Sequence, residues 1–263
     1  MDEFVEANRK AWGVIAEDHY HAYRAILARQ PLTLNETEIE ELGDIAGKRL
    51  IHLQCNTGAD TLSLARLGAK VTGVDLVPEN IFYARQLAAD FAIGDARFIE
   101  ANVLQLAEVH QEKYDIVYTT QGVLCWLPDL FQWARTVRHL LADDGFLYVL
   151  DSHPVYMLFD EEKLPELVVK YPYFSKNTDI DGWIGGYASA AKPATNYSWM
   201  YTIGEIVTAL SQAGLHIEWL HEFDWLYYQL AAERQREVAT GKWVFPDHQG
   251  KLPYTFSLKA TVR

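Results

Sequence analysis

The sequence predicts an α/β fold: a mostly parallel sheet with helices on both faces and an antiparallel edge. Three observations predict it. Five short, nearly continuous apolar runs recur through the middle of the chain: Arg49–Leu53, Lys70–Val74, Ala96–Ile99, Tyr114–Thr119 and Phe146–Leu150. Helical stretches lie between most of them, over Asp60–Leu67, Pro78–Phe91 and Leu130–Leu141. Strands that alternate with helices build parallel sheets, and strands apolar on both sides need cover on both faces. Further on, Leu215–Glu222 and Tyr254–Val262 alternate apolar and polar residues, which suits an antiparallel edge with one wetter face.

The remaining elements follow from spacing and punctuation. Phe4, Val5, Trp12, Ile15, Tyr20, Tyr23, Ile26 and Leu27 recur near helical period, so helix is expected from about residue 3 to 28. Glu36–Leu42 is a short amphipathic helix, ended by Gly43 or Gly47. Asp151–Tyr201 is a long aromatic insert broken by Gly and Pro, the mark of a lid or binding loop. Ile203–Ala213 is a helix stopped by Gly214. Trp225–Ala239, between the last two strands, also reads as helix.

Composition narrows the function classes. A formal charge of −13 and no basic run argue against a nucleic-acid partner, whose phosphates call for clustered Lys and Arg. The first twenty residues hold Asp2, Glu3, Glu6, Arg9, Lys10, Glu17 and Asp18, so a secretory leader is not expected. No window has the apolar length of a membrane span. Cys55 and Cys125 make no disulfide framework, and cytoplasm is the default compartment. His19 and His21, two apart, do not share a helix face, and no other His/Cys cluster has ligand spacing, so no metal is expected.

The stretch LIHLQCNTGADTLSLARLGAKVTGVDL, Leu50 to Leu76, is a strand, a loop, a helix and a second strand ending in an acid. In an open parallel sheet, ligands bind beyond the C-terminal strand ends where the strand order reverses. That point is the loop Gln54-Cys55-Asn56-Thr57-Gly58-Ala59-Asp60. Gly58 permits a tight turn close to a ligand. The following helix N-terminus favours an anionic group. Asp75 can accept hydrogen bonds from both ribose hydroxyls, Leu76 can pack on a purine, and Asn102 can bond an adenine edge. A dinucleotide fold would carry G-x-G-x-x-G and a P-loop would carry G-x-x-x-x-G-K-[ST]; neither is present. Asp60 at the helix start would repel a phosphate. Adenosine with a small carboxylate tail, as in S-adenosylmethionine, fits best.

Here the sequence resembles the class I S-adenosylmethionine-dependent methyltransferases, from about Trp12 to Val262. LIHLQCNTG stands where that family has a strand and D/E-x-G-x-G-x-G. VTGVDLVPENIFYAR matches its second strand with the ribose-binding acid, and ARFIEANVLQL its adenine-binding turn. YDIVYTTQGVLCWLPDLFQWARTVRHLLADDGFLYVLD matches its fourth strand, helix and fifth strand. His52 replaces a usual acid, Gln54 and Asn56 replace two glycines, and Ala142-Asp143-Asp144-Gly145 replaces a Pro-Gly-Gly turn. The resemblance implies a Rossmann-like seven-stranded sheet, mostly parallel, with an antiparallel last strand. It implies one methyltransferase domain over 1–263: an N-terminal helical cap (1–46), a cofactor-binding core (47–151), an aromatic insert (152–201), and a C-terminal helix with antiparallel strands (202–263).

The cofactor contacts expected are Tyr20, Gln54, Asn56, Thr57, Gly58, Asp75, Leu76, Asn102, Val103, Gln121 and Gly122. Several have a plain alternative: Gly58 a turn, Asn102 an Asx turn, Val103 core, Gln121 and Gly122 a turn. Tyr20, on a segment that the family often folds over the cofactor, either meets the carboxylate or sulfonium or packs the helix on the sheet. His153, just past the fifth strand, is the candidate general base, against a loop His that only hydrogen-bonds. Trp12 reads as packing. Tyr156, Tyr171, Tyr173, Phe174, Trp183, Tyr197 and Trp199 are expected in part to wall an acceptor site and in part to pack the insert.

The expected function is methyl transfer from S-adenosylmethionine to a small-molecule acceptor by a monomer or homodimer. After the fourth strand stands Thr120-Gln121-Gly122-Val123, where family members acting on adenine or glutamine nitrogens have Asn/Asp-Pro-Pro-Tyr. The rivals are a non-catalytic ligand sensor or partner subunit of the same fold and, less favoured, a nicotinamide-dependent oxidoreductase.

Overall fold

Buried β-rich runs set the frame of the computed structural model, which describes residues 3–174, 178–185 and 188–262. Helix α1 spans Glu3–Leu27 and α2 spans Glu36–Leu42. The core then alternates β1 (Arg49–Leu53), α3 (Ala59–Arg66), β2 (Lys70–Asp75), α4 (Pro78–Asp90), β3 (Arg97–Glu100), the one-turn α5 (Leu106–Val109), β4 (Tyr114–Thr120), α6 (Leu130–Leu140) and β5 (Leu141–Ser152). The insert carries a hairpin, β6 (Asp179–Ile184) and β7 (Lys192–Ser198). The C-terminal part is α7 (Ile203–Gln212), β8 (Leu215–Phe223), β9 (Arg236–Ala239), β10 (Lys242–Val244) and β11 (Thr255–Val262).

The main sheet has seven strands in the order β3-β2-β1-β4-β5-β11-β8. β1 through β5 pair in parallel, and β11 runs antiparallel between β5 and β8. The Rossmann-like architecture expected from the sequence is therefore the one observed. The order reverses between β1 and β4, so the chain leaving both strands opens a crevice there.

Period-two burial sorts the strand residues onto two faces. Ile51, Leu53, Val117, Leu147 and Val149 pack with Trp133 and Val137 of α6 and Leu210 of α7. Leu50, Ile116, Tyr118, Tyr148 and Leu150 pack with Leu42 of α2 and Leu64 of α3. Helix α1 lies over α3 and α4 through Tyr20, Leu62, Ile81 and Leu87.

Two expectations change. No helix forms over Trp225–Ala239: Leu226 pairs with Trp243 by two backbone hydrogen bonds (2.7 and 2.8 Å), and Arg236–Ala239 is a strand. The apolar spacing that suggested a helix instead serves a cluster of Leu226, Tyr156, Phe245 and Tyr254, because long-range packing overrides weak local propensity. The insert is also less irregular than expected, since its β6–β7 hairpin lies against α1. Asn8 of α1 donates to the Tyr197 carbonyl (2.8 Å) and accepts from its N–H (2.7 Å), so one side chain pairs with β7 as a neighbouring strand would. Lys192 meets Asp18 at 2.7 Å. Among the described residues no helix is long and apolar enough to cross a membrane.

Candidate active site

A cavity of about 1030 Å³ opens at the strand-order reversal. Its floor is made by the ends of β1, β2, β3 and β4, and its outer wall by the insert and the segment after β8. Among the expected contacts, Gln54, Asn56, Thr57, Gly58, Asp75, Leu76, Asn102, Val103, Gln121 and Gly122 all line it.

The loop after β1 keeps the backbone of a glycine-rich loop without the glycines. Gln54 and Asn56 have φ of 58° and 49°, and Gly58 has 79°. For a residue with a Cβ, such a conformation costs about 1–2 kcal/mol. Side-chain bonds hold it in place. Gln54 Nε2 donates to the Val123 carbonyl at 3.0 Å, and Asn56 Oδ1 accepts from Thr57 N at 2.6 Å. Asn56 Nδ2 lies 3.1 Å from His19 Nδ1 of α1. Gly58 meets two demands at once: its φ is positive, and a Cβ there would come within 2.8 Å of the Phe98 ring. Its lack of a side chain thus serves the packing beneath the loop as well as the cavity above.

Asp75 organises the floor. One oxygen accepts from Asn56 N (2.8 Å), and the other from Val77 N (2.9 Å) and Asn80 Nδ2 (3.1 Å). Burial pushes its pKa up, and these donors work against that rise. Asn102 Oδ1 accepts from Leu104 N at 3.0 Å, an Asx turn that leaves its NH₂ to the cavity it lines. Val103 belongs to the core cluster and to the cavity lining alike.

At the end of β4, Gln121 Nε2 donates to Glu38 Oε2 at 3.1 Å. Glu38 is a wholly buried acid of α2; it also takes Asn35 N (2.9 Å) and the Tyr118 hydroxyl (2.6 Å). Burial, with Asp60 nearby, pushes its pKa up to about 8. Gly122 leaves room for Tyr227, whose Oη would lie 3.0 Å from a Cβ there. The loop beyond is pinned by buried Asp151, which accepts from Val123 N (3.1 Å) and Leu124 N (2.9 Å).

The outer half has another character. Tyr156, Phe159, Tyr171, Trp183, Trp199 and Tyr228 line it. Ser152 Oγ and Tyr227 Oη are 2.6 Å apart, and the hydroxyls of Tyr156 and Tyr228 are 2.9 Å apart. Trp12 and Trp126 meet edge to face at 5.2 Å, and both line the cavity, so Trp12 does more than pack. Tyr173, Phe174 and Tyr197 are absent from the lining.

Two sequence candidates are not brought to the cavity. Tyr20 donates to Asp90 Oδ2 at 2.6 Å, and its ring stacks on Tyr83 at 5.1 Å. It fastens α1 to α4, the packing alternative. His153 is buried: its Nδ1 accepts from Val155 N (3.1 Å) and its Nε2 lies 2.8 Å from Glu222 Oε1 of β8. Burial pushes its pKa down, with Glu222 opposing. Its side chain is committed to the turn after β5 and to β8 and does not line the cavity. His52 is the one histidine among the described lining residues; burial pushes its pKa down to about 3, and its Nδ1 is 2.8 Å from Thr61 Oγ1.

Sequence reasoning missed Asn80, Glu38 and Tyr227. Only Asn80 left a local signal, as a polar residue in the first turn after the acid-bearing strand. The others reach the site through long-range packing.

The residues fit S-adenosylmethionine. The buried atoms Gln54 Oε1, Thr57 Oγ1 and Asn80 Oδ1 have no hydrogen-bond partner among the described residues, and all three residues line the cavity. Leaving such groups unpaired costs about 1–3 kcal/mol each, so a ligand with amino and hydroxyl donors suits them. Among the described residues no group of three or more His, Cys, Asp or Glu could hold a metal.

Comparison with known proteins agrees. A family model described as a methyltransferase domain matches residues 51–147. The ubiquinone biosynthesis O-methyltransferase of Serratia proteamaculans (strain 568) is 31% identical over 165 residues, 59% of this chain and 67% of that protein. The protein of the same name from Actinobacillus pleuropneumoniae serotype 5b is 26% identical over 195 residues, 70% of this chain and 80% of that one. The crystal structure of an S-adenosylmethionine-dependent methyltransferase from Mesorhizobium loti superposes with a TM-score of 0.55 at 19% identity, covering 84% of this chain and 94% of that one.

Proposed function

The chain belongs to the class I S-adenosylmethionine-dependent methyltransferases, and from that premise we propose that it methylates a hydroxyl of a small aromatic acceptor. The observation that carries the reading is the two-sided cavity: an anchored polar floor faces an aromatic wall bearing two hydroxyl pairs. The similar proteins named as O-methyltransferases support it.

When bound, S-adenosylmethionine supplies a methyl group activated by a positively charged sulfur. In this reading Asp75 holds the ribose hydroxyls, and Leu76 and Val103 flank the adenine. The Asn102 NH₂ meets the adenine edge, and the loop from Gln54 to Gly58, with Gln121 and Gly122, takes the amino-acid tail. The outer wall aligns the acceptor and keeps water away, the main contributions a protein makes to an in-line displacement. His52, with its pKa near 3, is a poor base, and Tyr227 is held protonated by burial. A phenol, which gives up its proton more readily than an aliphatic alcohol, therefore suits the site better. We further read the described parts as one methyltransferase domain of the cytoplasm, with the boundaries given above.

The test is label transfer from methyl-labelled S-adenosylmethionine to a panel of catechol, an aliphatic alcohol, a primary amine and a thiol. Label on the catechol alone is expected. Transfer to the amine, alcohol or thiol with none to the catechol would overturn the aromatic-hydroxyl reading.

A further inference from the structure

Three of the side-chain amides that line the cavity have partners that determine which way each points. Gln54 Nε2 faces the Val123 carbonyl (3.0 Å), Asn80 Nδ2 faces Asp75 Oδ1 (3.1 Å), and Gln121 Nε2 faces Glu38 Oε2 (3.1 Å). Val123 O and Asp75 Oδ1 can only accept here. Glu38 Oε2 also accepts from Asn35 N (2.9 Å), so it is an acceptor whether or not a proton sits on Oε1 beside Tyr118. In each amide the NH₂ end is thus committed to the protein. The oxygens remain, and Gln54 Oε1 and Asn80 Oδ1 are buried without a partner among the described residues.

Gln54 and Gln121 follow the neighbouring strands β1 and β4, whereas Asp75 ends β2 and Asn102 follows β3. An adenosine held at Asp75 and Asn102 would place its tail toward the glutamines. Amide oxygens are the negative ends of dipoles and favour a positively charged donor.

We propose that Glu38 is a positioning residue: from α2 it fixes the Gln121 amide, so that the Gln121 and Gln54 oxygens form the subsite for the ammonium of the cofactor's amino-acid tail. This rests on the methyltransferase reading. Glu38 is not catalytic, since it is wholly buried and does not line the cavity.

The experiment is calorimetric titration with two ligands, S-adenosylhomocysteine and 5′-methylthioadenosine, the second lacking the amino-acid tail. Glu38→Leu removes the acceptor and should weaken S-adenosylhomocysteine about tenfold or more, while 5′-methylthioadenosine changes less than about twofold. Glu38→Gln keeps an acceptor oxygen and should restore binding to within about threefold of wild type. Gln121→Leu, at a partly exposed position, should reproduce the selective loss. Equal losses for both ligands, no rescue by Glu38→Gln, or unchanged S-adenosylhomocysteine binding in Gln121→Leu would each overturn the proposal. Wild-type protein that binds neither ligand would overturn the methyltransferase reading itself, and the proposal with it.

Discussion

The floor and the roof of the cavity are built by different means. The floor stands on the ends of four parallel strands, and its polar side chains are tied to backbone or buried acids. Asp75 alone gathers three donors. The roof is a hairpin and a strand-following segment, held to the rest by side chains from distant parts of the chain: Asn8 with Tyr197, Lys192 with Asp18, Ile184 against Ala11 and Ile15, and Leu226 against Tyr156 and Phe245. The floor is preorganised by the sheet, whereas the wall depends on packing between side chains of separate elements. In the proposed reading the cofactor takes the first and the acceptor the second.

The largest expected effect breaks the floor. Asp75→Ala removes the proposed ribose contact and leaves Asn56 N, Val77 N and Asn80 without their acceptor. S-adenosylmethionine binding should fall roughly a hundredfold or more in calorimetry, from two charge-assisted bonds at about 1.5–3 kcal/mol each. Retained binding would mean that the floor does not read the ribose through this acid.

Next, Gly58→Ala tests the packing beneath the loop. The positive φ and the 2.8 Å approach of Phe98 predict about 2–3 kcal/mol of lost stability, read from denaturant melts. Asn8→Ala should act on the roof alone. The Michaelis constant for the acceptor should rise several-fold, with cofactor binding within about twofold of wild type and faster hydrogen exchange in β7. An equal loss of cofactor affinity would erase the distinction between floor and roof.

A further effect is one of pH. The pKa of Glu38 is raised in the folded protein from 4.5 to about 8 by burial and by Asp60. The folded state then holds a proton that the unfolded state has released. This contribution to stability is fully present below about pH 4.5 and is lost as pH rises through about 8. The wild type should lose stability over that window relative to Glu38→Gln, whose melts should be flatter. Parallel pH profiles would show that Glu38 stays ionised.

The same division explains what could be read from the sequence. Each parallel strand has a local apolar signature, and Arg49–Leu53 and the acid at Asp75 stand where expected. The floor residues follow directly from those strand ends. The roof depends on pairings distant in the chain: Trp225–Ala239 has helical spacing yet is drawn to Trp243 and Phe245. His153 stands at the right strand end, but β11 brings β8 and Glu222 near enough to capture its side chain. Tyr20 is on the expected helix but turned toward Asp90, one face away. Positions along a strand are local information, whereas the direction of a side chain in a loop depends on neighbours supplied by the whole fold.

The place of β11 has a consequence for how the protein is made. It lies between β5 and β8, yet it is translated after both. A ribosome-bound chain can therefore complete β1 through β5 while β5 still shows an open edge, and β8 emerges with no strand to pair with. Tyr227, just beyond β8, cannot reach Ser152 until the late strand inserts. The strands under the floor are thus all made before the strand that joins β8 and Tyr227 to the sheet.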